Sequence, residues 1–80
     1  MPTQNDVTVF TTQTCPYCTM AKNYLRSKGI AFKEVDVSTD EQQAMQMIMK
    51  SGQMGVPQLW INNEVVVGFD LPRINALLNL

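Results

Sequence analysis

Apolar and polar positions along this chain change period several times, and each change marks an element boundary. Val7-Thr8-Val9-Phe10, extending to Thr11, is a β-branched and aromatic run. Its length and composition suit a strand buried on both faces. Thr12 to Thr14 form a polar loop. From Pro16 to about Lys28 the period lengthens: Cys18, Ala21 and Leu25 recur at the spacing of one helical face, with Tyr24 nearby. Gly29 supplies a left-handed stop. Ile30 to Val37 alternates in part, with Phe32, Val35 and Val37 set against Lys33, Glu34 and Asp36, and reads as a second strand. Such a strand–helix–strand unit predicts a parallel pair with a right-handed crossover.

The second half follows the same logic. Ser38-Thr39-Asp40-Glu41 has the capping-box pattern, a serine followed three residues later by glutamate. It predicts a helix to about Ser51, with Gly52 as its stop and Ala44, Met47, Ile48 and Ser51 inward. Met45 and Met49 fall off that face. A loop from Gln53 to Val56 ends at Pro57. Gln58 to Ile61 and Glu64 to Val67 are β-rich runs joined by Asn62-Asn63, a hairpin signal. Gly68-Phe69-Asp70 then leads into a helix over about Leu71 to Leu78. Asp70 is its natural N-cap, Pro72 fits its first turn and Phe69 can staple against Ile74. Ile74, Leu77 and Leu78 form its buried stripe. The order is β-α-β-α-β-β-α: an α/β fold with one four-stranded mixed sheet and three helices, over residues 1–80 as a single domain.

Composition narrows the function classes. The chain has 80 residues, 45% hydrophobic and 16% charged, enough for one small core. A formal charge of −1 and six scattered basic residues give no nucleic-acid footprint. No apolar stretch is long enough to span a membrane, and the polar opening Met1 to Asp6 does not read as a signal peptide. These features point to a reducing cytoplasm, where a close cysteine pair is catalytic or metal-binding rather than structural.

That pair is Cys15-Pro16-Tyr17-Cys18, and the chain has no other cysteine. A Cys-x-x-Cys between a strand and a helix is a redox signature. Cys15 falls where the helix begins, facing unpaired backbone N–H groups and the positive end of the helix dipole. Both favour the thiolate, the nucleophile of thiol–disulfide exchange. Cys18 lies one turn further on the same face, within reach of a disulfide with it. A bridge there would close only a four-residue loop, too short to stabilise the fold much. Pro16 suits the first helical turn because it lacks an N–H that would be unpaired there. Tyr17 is expected to stand exposed beside the sulfur. Lys22 reads as a solvated side chain one turn past Cys18.

With these residues in place, the chain resembles the glutaredoxin family over nearly its whole length. Three motifs carry the likeness in order: Thr14-Cys15-Pro16-Tyr17-Cys18, Val56-Pro57, and Gly68-Phe69-Asp70. The pattern is most similar to short bacterial glutaredoxin-like proteins. The resemblance implies the minimal thioredoxin fold and no bound cofactor. It also implies a cis bond before Pro57 that sets the Val56 backbone beside Cys15, and glutathione as reducing co-substrate. Cys15 would be the nucleophile and Cys18 the resolving thiol. Thr12, Tyr17, Val56, Pro57, Gly68, Phe69 and Asp70 would contact glutathione or substrate. The implied partners are glutathione and disulfide-containing or glutathionylated proteins.

Two positions depart from the family pattern. Thr12 stands where glutathione-using members carry a lysine for the glycine carboxylate, and Phe69 replaces the second glycine of a Gly-Gly pair before Asp70. Loss of one charge-assisted contact weakens binding by roughly 1–3 kcal/mol, about fivefold to a hundredfold or more. This leaves open a redoxin reduced by thioredoxin reductase that feeds ribonucleotide reductase, although the tryptophan-containing motif of such proteins is absent near Gly68. A different class, a dimeric iron–sulfur or zinc site through Cys15, would need further ligands. The chain has two cysteines and no histidine.

Overall fold

The computed structural model of the protein describes residues 6–80; the opening segment at 1–5 lies outside the described residues. The elements are β1 (Val7–Thr11), α1 (Pro16–Ser27), β2 (Lys33–Asp36), α2 (Glu41–Ser51), β3 (Gln58–Ile61), β4 (Glu64–Val67) and α3 (Leu71–Leu78). They form one four-stranded sheet in the order β2-β1-β3-β4. β1 runs parallel to β2 and antiparallel to β3, and β3 runs antiparallel to β4. The predicted architecture and the parallel β1–β2 pair are both present.

Strand alternation divides the core into two layers. Val7, Val9, Leu59, Ile61 and Val66 face one side and pack with Ala21 and Leu25 of α1 and Ile74 and Leu78 of α3. Phe10 and Val35 face the other side and pack with Met47 of α2. β1 is therefore covered on both faces, as its unbroken apolar run requires. The α2 layer is the thinner one. Of the four residues predicted inward on α2 only Met47 is fully buried, while Ala44, Ile48 and Ser51 are half-buried. On α3, Leu77 is likewise only half-buried beside Ile74 and Leu78.

Local signals fix most ends. Gly29 (φ 70°) closes α1 with two bonds, Gly29 N–H to the Arg26 carbonyl at 3.1 Å and Ile30 N–H to the Leu25 carbonyl at 2.9 Å. This is a Schellman closure. It spends Ile30 on the helix end, so β2 begins at Lys33 and not at Ile30. Asn62 and Asn63 take positive φ of 51° and 72°, the left-handed pair of a tight hairpin turn. Asp70 caps α3 through the Arg73 N–H at 3.3 Å, and Phe69 packs on the cluster that includes Ile74.

The start of α2 differs from the capping-box expectation. Its N-cap is Asp40, whose carboxylate accepts the Gln43 N–H at 3.1 Å. Ser38 is captured instead by Asp36: its backbone N–H (2.9 Å) and its hydroxyl both donate to Asp36 Oδ1. A carboxylate at the end of β2 outcompetes the capping role of the serine two residues on, and the helix starts later. Lys22 also departs from its expected solvation: its Nζ pairs with Glu34 at 2.9 Å, with 18% of the lysine side chain exposed.

The Ser38 bonds hold the Asp36 carboxyl below its ordinary value, the side-chain bond contributing most. A depressed carboxyl stabilises the fold above its unfolded value of 3.8 and loses that contribution as pH falls through the folded value. Ser38→Ala should therefore flatten the acid-side fall in stability below about pH 4, measured by urea unfolding across pH, while leaving the curve near pH 7 parallel to wild type.

Candidate active site

The site is built where β1 ends and α1 begins. Cys15 is the N-cap of α1, with extended backbone (φ −99°, ψ 108°), and Pro16 occupies the first turn. The Cys15 sulfur accepts the Cys18 N–H at 3.2 Å. It takes the place of the oxygen that usually satisfies an unpaired amide at a helix start. That donated N–H and the helix end direct partial positive charge at this sulfur. The Cys15 carbonyl accepts the Thr19 N–H at 3.2 Å, the first full helical bond.

The two cysteines sit in contrasting surroundings. Both are free thiols; Cys15 is half-buried and Cys18 fully buried. Burial pushes the Cys18 thiol above its ordinary value, and its hydrogen bond with Cys15 adds to the rise. The Thr11 hydroxyl and the Thr12 backbone also hydrogen-bond to Cys18 and partly offset the shift. Cys18 therefore stays protonated while Cys15 faces solvent at the helix mouth.

The second wall is the loop before β3. The Val56–Pro57 peptide bond is cis, and the Val56 carbonyl accepts from Cys15 Sγ at 3.8 Å. Gly68 N–H donates to the Pro57 carbonyl at 2.8 Å, which ties the Gly68-Phe69-Asp70 segment to the same loop. Cys15, Cys18, Val56, Pro57 and Gly68 are thus linked by direct contacts, and Thr12 follows the end of β1. Tyr17 is 61% exposed, as predicted. Asp70 is exposed at the start of α3, where its carboxylate holds Arg73 N–H and Pro72 has no N–H. The amides of Asp70 and Leu71 are the donors remaining at that helix end. Phe69 turns its ring toward Tyr24, 6.3 Å between centroids and edge-on.

Three residues that the sequence reading did not assign bear on the site. Thr11 touches Cys18. The Gln13 side chain is a smaller cause of the lowered Asp36 carboxyl at the end of β2. Gln58 is fully buried directly behind the Val56–Pro57 loop. Its position was detectable: the period of β3 turns it toward the α2 layer, where a polar residue is out of place. Among the described residues, no three His, Cys, Asp or Glu side chains gather into a metal-holding group. None of the described helices is long and apolar enough to cross a membrane.

This arrangement defines a thioredoxin-fold protein with a cysteine pair at the mouth of its first helix. A model of the glutaredoxin family matches residues 7–66. The chain is 38% identical over 72 residues to an uncharacterised glutaredoxin-like 8.6 kDa protein of the rubredoxin operon of Clostridium pasteurianum, covering 90% of this chain and 96% of that one. It is 38% identical over 65 residues to glutaredoxin 3 of Escherichia coli K12, covering 81% of this chain and 78% of that one. The crystal structure of the thioredoxin-like protein BC3987 superimposes with a TM-score of 0.85 at 28% identity, over 90% of this chain and 99% of that one. The chain belongs to the glutaredoxin family.

The unequal exposure of the two thiols predicts unequal labelling. Sub-stoichiometric iodoacetamide on the reduced native protein should label Cys15, by peptide mapping, and label Cys18 only after denaturation. Label shared equally between them in the native state would contradict this geometry.

Proposed function

We propose that this protein is a dithiol glutaredoxin that catalyses glutathione-linked thiol–disulfide exchange in the cytoplasm, acting as a monomer on protein disulfides and glutathione mixed disulfides. Membership in the family puts it among thiol–disulfide oxidoreductases. The observation that carries the finer reading is the asymmetry of the pair: an accessible Cys15 at a helix N-terminus and a buried, protonated Cys18 one turn behind it.

The Cys15 thiolate attacks one sulfur of the substrate disulfide. The substrate S–S bond breaks, one substrate thiolate leaves and takes a proton from solvent, and a Cys15–substrate bond forms. Cys18 then gives up its proton and attacks Cys15 Sγ. The second substrate thiol leaves and a Cys15–Cys18 disulfide remains, so the substrate has gained two electrons and the pair has lost two. One glutathione reopens that bond as a mixed disulfide on Cys15. A second takes the first away as glutathione disulfide and restores both thiols. No bound cofactor is required.

The glutathione backbone would lie along Val56, in the manner of an added strand, with Tyr17 and Thr12 beside it. Pro57 and Gly68 would shape the floor, and the amides at Asp70 and Leu71 would receive the γ-glutamyl carboxylate, with Phe69 at the rim. A second reading has one observation in its favour. Thr12 is uncharged, and among the described residues other cations have partners elsewhere: Lys22 with Glu34, Arg26 over Phe32, Lys28 over Tyr24, Lys50 over Trp60, Arg73 with Glu64. Lys33 lies opposite Thr8, toward the far end of β1 from Thr12. A site without a cation for the glycine carboxylate also fits a redoxin reduced by thioredoxin reductase that supplies ribonucleotide reductase.

The two readings separate in a coupled assay. The oxidised protein should drive NADPH consumption with glutathione and glutathione reductase. Cys15→Ser should fall to background, and Cys18→Ser should keep turnover of a glutathione mixed disulfide but lose reduction of a protein disulfide. Turnover with thioredoxin reductase and none with glutathione would replace the first reading by the second.

A further inference from the structure

Gln58 is a fully buried polar side chain to which the exchange chemistry gives no task. Its Nε2 donates to the Gln53 carbonyl at 2.9 Å and to the Gly55 carbonyl at 2.8 Å. Its Oε1 is buried with no hydrogen-bond partner. An unpaired buried acceptor is unfavourable, and an apolar side chain of similar length would fill the same space without it. What an apolar side chain cannot do is donate to two carbonyls. Core filling alone therefore does not account for glutamine here.

Both accepting carbonyls belong to the segment that carries Val56. The backbone of Gln58 is fixed in the sheet, opposite Phe10 on one side and Val67 on the other. Its amide thus reaches from a rigid element into the loop. The loop's other end is tied to α2, where Gln53 N–H donates to the Ser51 hydroxyl at 3.0 Å. Between these ties sits Val56, with its carbonyl 3.8 Å from Cys15 Sγ. We infer that Gln58 is a positioning residue whose two donated hydrogen bonds hold the Val56 backbone in register with Cys15, so that a substrate chain pairs with Val56 while presenting its sulfur to the thiolate. This rests on the exchange reading given above.

The test compares Gln58→Met, which keeps the volume and removes the donors, with Val66→Ala, which destabilises the opposite core layer and leaves the loop alone. Two quantities are read: hydrogen–deuterium exchange at Gly52 and Gln53, the bonded amides where the loop leaves α2, in the reduced protein, and KM and kcat on a glutathionylated peptide. Gln58→Met should speed exchange at both amides about tenfold and raise KM about three- to tenfold, with kcat within about twofold. Val66→Ala should leave both readouts at wild-type values. If Gln58→Met does not fold, Gln58→Leu carries the same expectation. Unchanged loop exchange, an unchanged KM, or equal shifts in Val66→Ala would each overturn the inference. If wild type does not turn over the peptide, the exchange-chemistry reading falls separately, and the loop amides alone decide whether Gln58 holds the segment.

Discussion

One hydrogen bond organises the site: the Cys18 N–H donated to the Cys15 sulfur at 3.2 Å. It is at once a helix cap and a chemical device. As a cap it satisfies one of the amides that every helix leaves unpaired at its start. As chemistry it directs a donor and a helix end at the sulfur that must carry negative charge to attack. The same residue spacing puts Cys18 one turn away, so in the proposed mechanism the amide that supports the nucleophile belongs to the residue that later releases the substrate from it. Stability of the first helical turn and reactivity of the pair are therefore coupled.

The rest of the fold serves to bring a second wall against this helix start. β1 delivers Cys15 from the centre of the sheet, and β3, its antiparallel neighbour, delivers Val56 and Pro57 from the opposite direction. Such an approach works only if the loop before β3 is held. The holding is done by polar contacts at its flanks: Gln58 to Gln53 and Gly55, Ser51 to Gln53, and Gly68 to Pro57. The α2 layer behind it is thin, with Met47 its one fully buried residue on the helix. Apolar packing carries the α1 and α3 side of the sheet, whereas on the loop side hydrogen bonds share the task.

The residue pattern exposed the fold and the reacting pair because both rest on short-range physics. Strand alternation, helical spacing, Gly29 and Gly52 as stops, Asn62-Asn63 as a turn and Asp70 as a cap all act within a few residues. The failures came where two local signals competed or where a partner lay far away in sequence. Ser38 had the pattern of a cap, but Asp36 took its donors and left the task to Asp40. Ile30 alternated like a strand residue, but the helix end claimed its N–H. Lys22 looked solvated because Glu34, twelve residues on, meets it only after the crossover is made. Gln58 carried a signal, a polar residue at an inward strand position, but not what it would bind.

The central claim is that Cys15 attacks and Cys18 resolves. The most direct test is to treat reduced Cys18→Ser protein with glutathione disulfide and analyse the intact chain and its peptides by mass spectrometry. The account predicts one glutathione per chain, held on Cys15 and stable until a further thiol is added, while wild type under the same treatment proceeds to the Cys15–Cys18 disulfide. A Cys18→Ser protein that takes up no glutathione, while Cys15→Ser takes it up on Cys18, would contradict it.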